Sequence, residues 1–259
     1  MGMSGTSRRI RSTSLMVAGA WLLIAAATAH AQVSAERFRE AGERARAGDY
    51  PRAIAIYDSL ATSGRESASL YWNWAQAATA RGAMGEALWA LLRARELDPS
   101  DRAVMRDIER LREGANLDRA EIAPDPLAAV ARTARRFRLD AIALALLALS
   151  LVAHAVYRWR RSATRFVTIA WAALGLGLFA ALAPIAGAFA RPTGAVVRRG
   201  APLLDAASPT AASVGTLREG EVIPILETSG GYVRIEDSSG ARGWALASDV
   251  RALGRAPGR

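Results

Sequence analysis

Two apolar runs, Ala141 to Tyr157 and Phe166 to Ala190, limit what this chain folds into more than any other feature. At 17 and 25 residues, with no Asp, Glu, Arg or Lys in either, they bracket the roughly 20 residues a helix needs to cross a ~30 Å hydrocarbon core. A soluble fold would have to bury two helices that are apolar all round, and the chain offers no other elements to cover them. The expectation is a transmembrane helical hairpin, with helices over 139–157 and 166–190 and a cytoplasmic Arg-rich loop over 158–165.

The formal charge of +10 would fit a nucleic-acid binder if it were spread along the chain. It is not: residues 119–193 hold ten basic and three acidic side chains, whereas 32–118 and 194–253 each carry a net charge of −1. The excess sits beside the apolar runs, where Arg pairs with anionic lipid head groups, and no nucleic-acid partner is expected. The lipid bilayer is the partner this distribution points to. Arg8, Arg9 and Arg11 precede the apolar run Leu15 to Ala27, and Ala29-His30-Ala31 supplies small residues for cleavage before Gln32. Residues 1–31 thus read as a signal peptide that directs export of the domain beginning at Gln32. There is no cysteine, so each exported domain must hold together by burial alone.

Between 32 and 118 the pattern repeats. Gly48-Asp49-Tyr50 with Ala53, Ile54 and Tyr57 returns 34 residues later as Gly82-Ala83-Met84 with Ala87, Leu88 and Leu91. Two amphipathic helices with Gly at the turn and Ala at the crossing resemble the tetratricopeptide repeat. In the first unit the opening helix is mostly polar, with Phe38 its main apolar anchor, and it is expected to pack lightly. Asp101 can cap a further helix with Val104, Ile108 and Leu111 on one face, the capping helix of the array. The resemblance implies a peptide groove built from the first helix of unit two, at Ser69, Trp72, Gln76, Thr79 and Ala80, with Asn73 adjacent. Trp72 is its expected anchor, while Trp72, Trp74 and Trp89 also fit an ordinary aromatic core.

The juxtamembrane basic segment 119–138 contains a helix starting at Asp125-Pro126. Its Leu127, Val130, Ala131, Ala134 and Phe137 share a face, and Arg132, Arg135, Arg136 and Arg138 are expected at the lipid phosphates. In the second run Gly175, Gly177 and the pair Ala183 and Gly187 allow close helix contact. His154 lies within reach of the interface.

From 194 to 253 the texture turns to five short β-type runs, at Val196-Val197, Ser213 to Leu217, Glu221 to Glu227, Tyr232 to Asp237 and Gly243 to Leu246, separated by Gly-rich turns. Ala201-Pro202-Leu203-Leu204, Gly215 to Gly220, Gly231-Tyr232-Val233-Arg234-Ile235 and Gly243-Trp244 resemble the bacterial SH3-like domain. On that resemblance Tyr232 and Trp244 belong either to a ligand face or to the core, Trp244 being expected as a core plug.

The fold class expected is therefore a multidomain membrane protein: all-α tetratricopeptide hairpins, two transmembrane helices and a small all-β SH3-like barrel. This succession resembles the BatE-type proteins of aerotolerance operons, although the usual Tyr-Asn-Leu-Gly-Asn stretch is Trp72-Asn73-Trp74-Ala75-Gln76 here. The resemblance implies a scaffold on the outer face of the bacterial inner membrane that works with von Willebrand A-domain membrane proteins and a MoxR-type ATPase. The alternative is a peptidoglycan binder or envelope-stress sensor acting through the SH3-like domain. Catalysis is not expected, and no cofactor or metal: Cys is absent, His30 leaves with the signal peptide and His154 lies in the hairpin.

Overall fold

A computed structural model describes residues 32–123, 125–160, 164–237 and 239–254. The expected signal peptide and part of the Arg-rich loop lie outside the described residues. The chain divides into two units, Met1–Glu66 and Ser67–Arg259.

In the first unit, helix α1 (32–46) and helix α2 (Tyr50–Thr62) are joined by a turn in which Gly48 takes a φ of 81°. A side chain there would be strained, so glycine fits the turn. Ala41 and Ala53 are fully buried, and the Phe38 and Tyr57 rings meet at 5.9 Å. The polar α1 is nonetheless regular through residue 46, because a ring and a buried Ala suffice to seat one narrow face.

The second unit opens with the same device. Ser67 Oγ accepts from Leu70 N at 3.1 Å and starts α3 (Ala68–Ala80); Gly82, at φ 79°, turns the chain into α4 (Met84–Leu97). Both turns close alike: Gly48 N bonds Ala45 O and Asp49 N bonds Arg44 O, as Gly82 N bonds Thr79 O and Ala83 N bonds Ala78 O. The 34-residue sequence period is thus a repeated helix–turn–helix. Asp101 Oδ1 then accepts from Ala103 N at 2.7 Å and caps α5 (Arg102–Gly114), which buries Val104, Ile108 and Leu111 as its spacing predicts.

Asp125 caps α6 (Pro126–Arg136), and α7 (Leu139–Arg160) and α8 (Thr164–Ala186) form the expected hairpin, closed by a short 3₁₀ turn at Gly187–Phe189. Small residues line the α7/α8 seam: Ala143, Ala153, Ala170 and Ala173 are buried, and Ser150 Oγ donates to Ala170 O at 2.8 Å. Outside it, Leu151 and Phe179 are each 74% exposed and Trp171 67%. Both helices are long and apolar enough to cross a membrane. The close helix contacts expected at the small residues of α8 are present: a Cβ at Gly177 would lie 3.3 Å from Ala143 O of α7, and one at Gly187 would lie 2.6 Å from Ala131 Cβ, so this glycine lets α6 close on the end of α8.

The expectation for α6 needs a correction. Arg132 pairs with Glu96 at 3.1 Å and Arg135 pairs with the same carboxylate, so two of the four arginines are tied to α4 rather than free for phosphates.

The C-terminal region has seven strands where five were expected: β1 (Thr193–Val196), β2 (Pro202–Leu204), β3 (Ser213–Thr216), β4 (Val222–Ser229), β5 (Tyr232–Glu236), β6 (Arg242–Leu246) and β7 (Val250–Ala252). They pair antiparallel in the order β3-β2-β6-β5-β4-β1-β7. One core fills the sheet, from Val196, Ala201, Leu203, Leu217, Ile223, Val233, Ile235, Ala245 and Val250. Strands β2 and β7 are three residues each, too short to show alternation in sequence.

Candidate functional site

Helix α4 places Gly85, Trp89 and Arg93 four residues apart, on one face, and that face meets the C-terminal sheet. A Cβ at Gly85 would lie 2.7 Å from Val196 O and 2.9 Å from Val197 O, so only glycine admits the β-strand backbone this close. Gly85 N donates to Glu219 Oε1 at 2.7 Å, Trp89 Nε1 donates to Ala252 O at 3.0 Å, and the Arg93 guanidinium donates to Leu253 O. The first bond reaches the turn between β3 and β4, and the other two reach consecutive residues at the end of β7.

Arg251 of β7 completes the seam. Its guanidinium lies 4.0 Å from the centre of the Trp89 ring and 4.7 Å from that of Trp74, with Glu86 at 3.7 Å. Glu86 also accepts from Trp74 Nε1 at 3.0 Å and pairs with Arg81. Tyr71 joins the indoles, its ring 5.9 Å from Trp74 and 5.6 Å from Trp89, and Arg93 stands over it at 5.4 Å. Cations held against aromatic faces and desolvated in this way contribute about 0.5 to 2 kcal/mol each. The segment after α5 adds a further tie: Val222 N donates to Glu121 O at 2.8 Å, and Arg218 reaches both Glu121 and Asn116 O.

The expected groove residues are split. Trp72 Nε1 and Gln76 Nε2 both donate to Asp107 Oδ2, at 3.0 and 3.1 Å, so these two are drawn together onto α5. Asn73 is half-buried, and Ser69, Thr79 and Ala80 are exposed. Trp74 and Trp89, read as core, are core of a particular kind: they bind the sheet.

Tyr232, buried at 9% exposure, and the half-buried Trp244 share a face of the sheet. The register sets Tyr232 opposite Leu246 and Arg234 opposite Trp244, while the core residues Val233 and Ala245 face each other on the other side. Trp244 is half-buried beside Leu204 and is absent from the core, so it is not a core plug. The core takes Ala245 instead, because alternation along β6 leaves one face to each neighbour.

Two carboxylates are shifted by their partners. Hydrogen bonds from Arg112 and Arg119 hold Glu109 down at about 2, and the Ser100 hydroxyl and amide lower Asp98. Among the described residues no group of three His, Asp or Glu side chains is placed to hold a metal.

Seven short antiparallel strands around one core, entered by Ala201-Pro202 and carrying Gly243-Trp244 on the sixth strand, make the C-terminal region SH3-like. Residues 199–251 match the family model of the bacterial SH3 domain, from the turn before β2 into β7. No curated protein and no solved structure matches the chain. Arg251, Glu219 and Gly85 were not legible as a joint surface in the sequence. The local signal was the i, i+4 spacing of Gly85, Trp89 and Arg93 on one face of α4.

Proposed function

We propose that this chain is a non-catalytic, membrane-anchored scaffold that presents an SH3-like binding domain at a fixed pose beside the bilayer. The observation that carries the reading is the Arg251 seam, which ties the SH3-like sheet to α3 and α4 while residues 190–192 alone separate β1 from the end of the apolar hairpin. A domain meant to range freely would sit on a polar linker. On this reading α7 and α8 span the bacterial inner membrane and both flanks lie on its outer side. The helix pairs serve as tetratricopeptide-type units, with Ser69, Asn73 and Thr79 the free positions beside Trp72. The A-domain partner rests on the resemblance in domain order alone.

Protein purified in mild detergent through a C-terminal tag is expected to bring down a defined envelope membrane protein. A solitary monomer under those conditions contradicts the scaffold reading.

The bacterial SH3 match favours a second reading, in which the face carrying the half-buried Trp244 takes peptidoglycan while the buried Tyr232 supports it from behind. Full-length protein in detergent is the right probe, because the sheet is built against α4. Retention on purified sacculi that is lost in Trp244→Ala supports this reading, and equal retention of both proteins removes it.

A further inference from the structure

The seam between α4, α6 and the end of α8 encloses a cavity of about 540 Å³. Its wall is apolar along Leu92, Ala131, Ala134 and Pro184, but Arg95 also lines it. Arg95 is only 9% exposed, its Nε has no hydrogen-bond partner, and its guanidinium makes no ion pair with any described residue. A buried cation without a partner is costly, and proteins normally satisfy one with a carboxylate. Here the adjacent carboxylate is already taken, since Glu96 is shared by Arg132 and Arg135. Asp125 is engaged as well, capping Leu127 N and accepting from Arg191 N at 2.7 Å.

Burial, with Arg132 nearby and against the opposing pull of Glu96, lowers the Arg95 pKa to about 10, so the group stays charged at neutral pH. Asp140, the third carboxylate on the lining, is exposed, and four Arg against three carboxylates leave the cavity wall with one net positive charge.

We propose that this cavity binds a phosphate group through Arg95, and that the phosphate belongs to the head group of an anionic phospholipid. The shape argues for the lipid source. Asp140, at the start of α7, and Pro184 and Gly187, at the end of α8, all border the cavity. It thus opens at the end of the hairpin where both apolar helices stop, with Arg135 and Arg191 also on its lining. A head group seated on Arg95 leaves its acyl chains to run along the exposed apolar flank of α8, at Leu182 and Ile185. The need for an anion at Arg95 stands without the membrane reading; the lipid source rests on it.

The test uses full-length protein, delipidated in detergent and then given phosphatidylglycerol, phosphatidylcholine, glycerol 3-phosphate or inorganic phosphate, with binding read by native mass spectrometry and by thermal unfolding. Wild type is expected to retain phosphatidylglycerol and to unfold at a higher temperature with it, but not with phosphatidylcholine. Arg95→Gln is expected to weaken this on the order of 30-fold, the loss usual for one partner of a buried charge pair. Arg136→Gln, which alters an exposed Arg stacked on Phe137, is expected to bind as wild type does. Should Arg95→Gln fold poorly, Arg95→Lys keeps the charge and is expected to bind more weakly, because an ammonium cannot grip phosphate bidentately. Stabilisation of wild type by glycerol 3-phosphate or inorganic phosphate alone, lost in Arg95→Gln, keeps the site and overturns the lipid source. Equal retention of phosphatidylglycerol by wild type and both Arg95 variants, or no retention and no stabilisation of wild type by any of the four, overturns the proposal.

Discussion

Arg251 joins two indoles that its own strand never meets in sequence. Arg251→Ala removes both cation contacts and the pairing with Glu86, and is expected to lower stability by about 1 to 3 kcal/mol, read as a lower unfolding midpoint in detergent. Trp89→Phe removes the hydrogen bond to Ala252 O and, with its smaller ring, part of the contact with Arg251, Trp74 and Tyr71, and the expected cost is about 1 to 3 kcal/mol. Gly85→Ala gives a sharper test because two effects oppose. Ala favours a helix by about 1 kcal/mol over Gly, but here the methyl would press on Val196 O and Val197 O, and overpacking costs about 1 to 3 kcal/mol. The net change is expected to be destabilising. At Gly175 of α8 nothing lies within 4 Å of the added Cβ, so the same substitution there is expected to leave the midpoint unchanged or slightly raised. Equal effects at the two sites would mean that the close approach at Gly85 is unimportant.

Among the elements, α5 closes the helical layer with one carboxylate. Asp107 accepts from Trp72 and Gln76 on α3 and from Arg110 on its own helix. Asp107→Ala is expected to cost about 1 to 2 kcal/mol, the penalty for the part-buried Trp72 Nε1 left without an acceptor, and to speed amide exchange in α5 before any change in the SH3-like sheet. The loop after α5 is tied by Glu109 to Arg112 and Arg119. The folded pKa of Glu109, about 2, lies below its ordinary value. Its contribution is therefore complete above the usual carboxylate range and is lost as pH falls toward 2. A carbon-detected titration of the Glu109 side chain is expected to show a midpoint near 2; one above 4 would mean the pairs do not form in solution. These elements were largely legible beforehand, because their information is local. Asp101 and Asp125 cap the helices they precede, Gly48 and Gly82 mark equivalent turns, and the two apolar runs became α7 and α8. What stayed hidden depends on contacts distant in sequence. Trp89 and Ala252 are 163 positions apart, and β1 is defined by partners in β4 and β7 rather than by its own four residues. Trp244 was misplaced because one aromatic in a five-residue strand does not reveal which face the core will take. The Arg95 cavity was invisible for the same reason: its unpaired state follows from Glu96 being claimed by α6.

At the scale of the molecule, residues from α3 to β7 act as one block attached to the hairpin. Pairing of Arg132 and Arg135 with Glu96 and closure of α6 on Gly187 hold the base, while Arg251 and Trp89 hold the top. On the proposed membrane reading, the packing of the flank before α7 against the flank after α8 requires that both share one side of the bilayer. Because the chain has no cysteine, single substitutions report topology without background. Ser69→Cys on α3 and Ala207→Cys in the loop after β2 are exposed positions, and Ala163→Cys lies between the two apolar runs. In intact spheroplasts a membrane-impermeant maleimide is expected to label the first two and to reach the third only after permeabilisation. Labelling of Ser69→Cys and Ala207→Cys from opposite sides would contradict the account at its root.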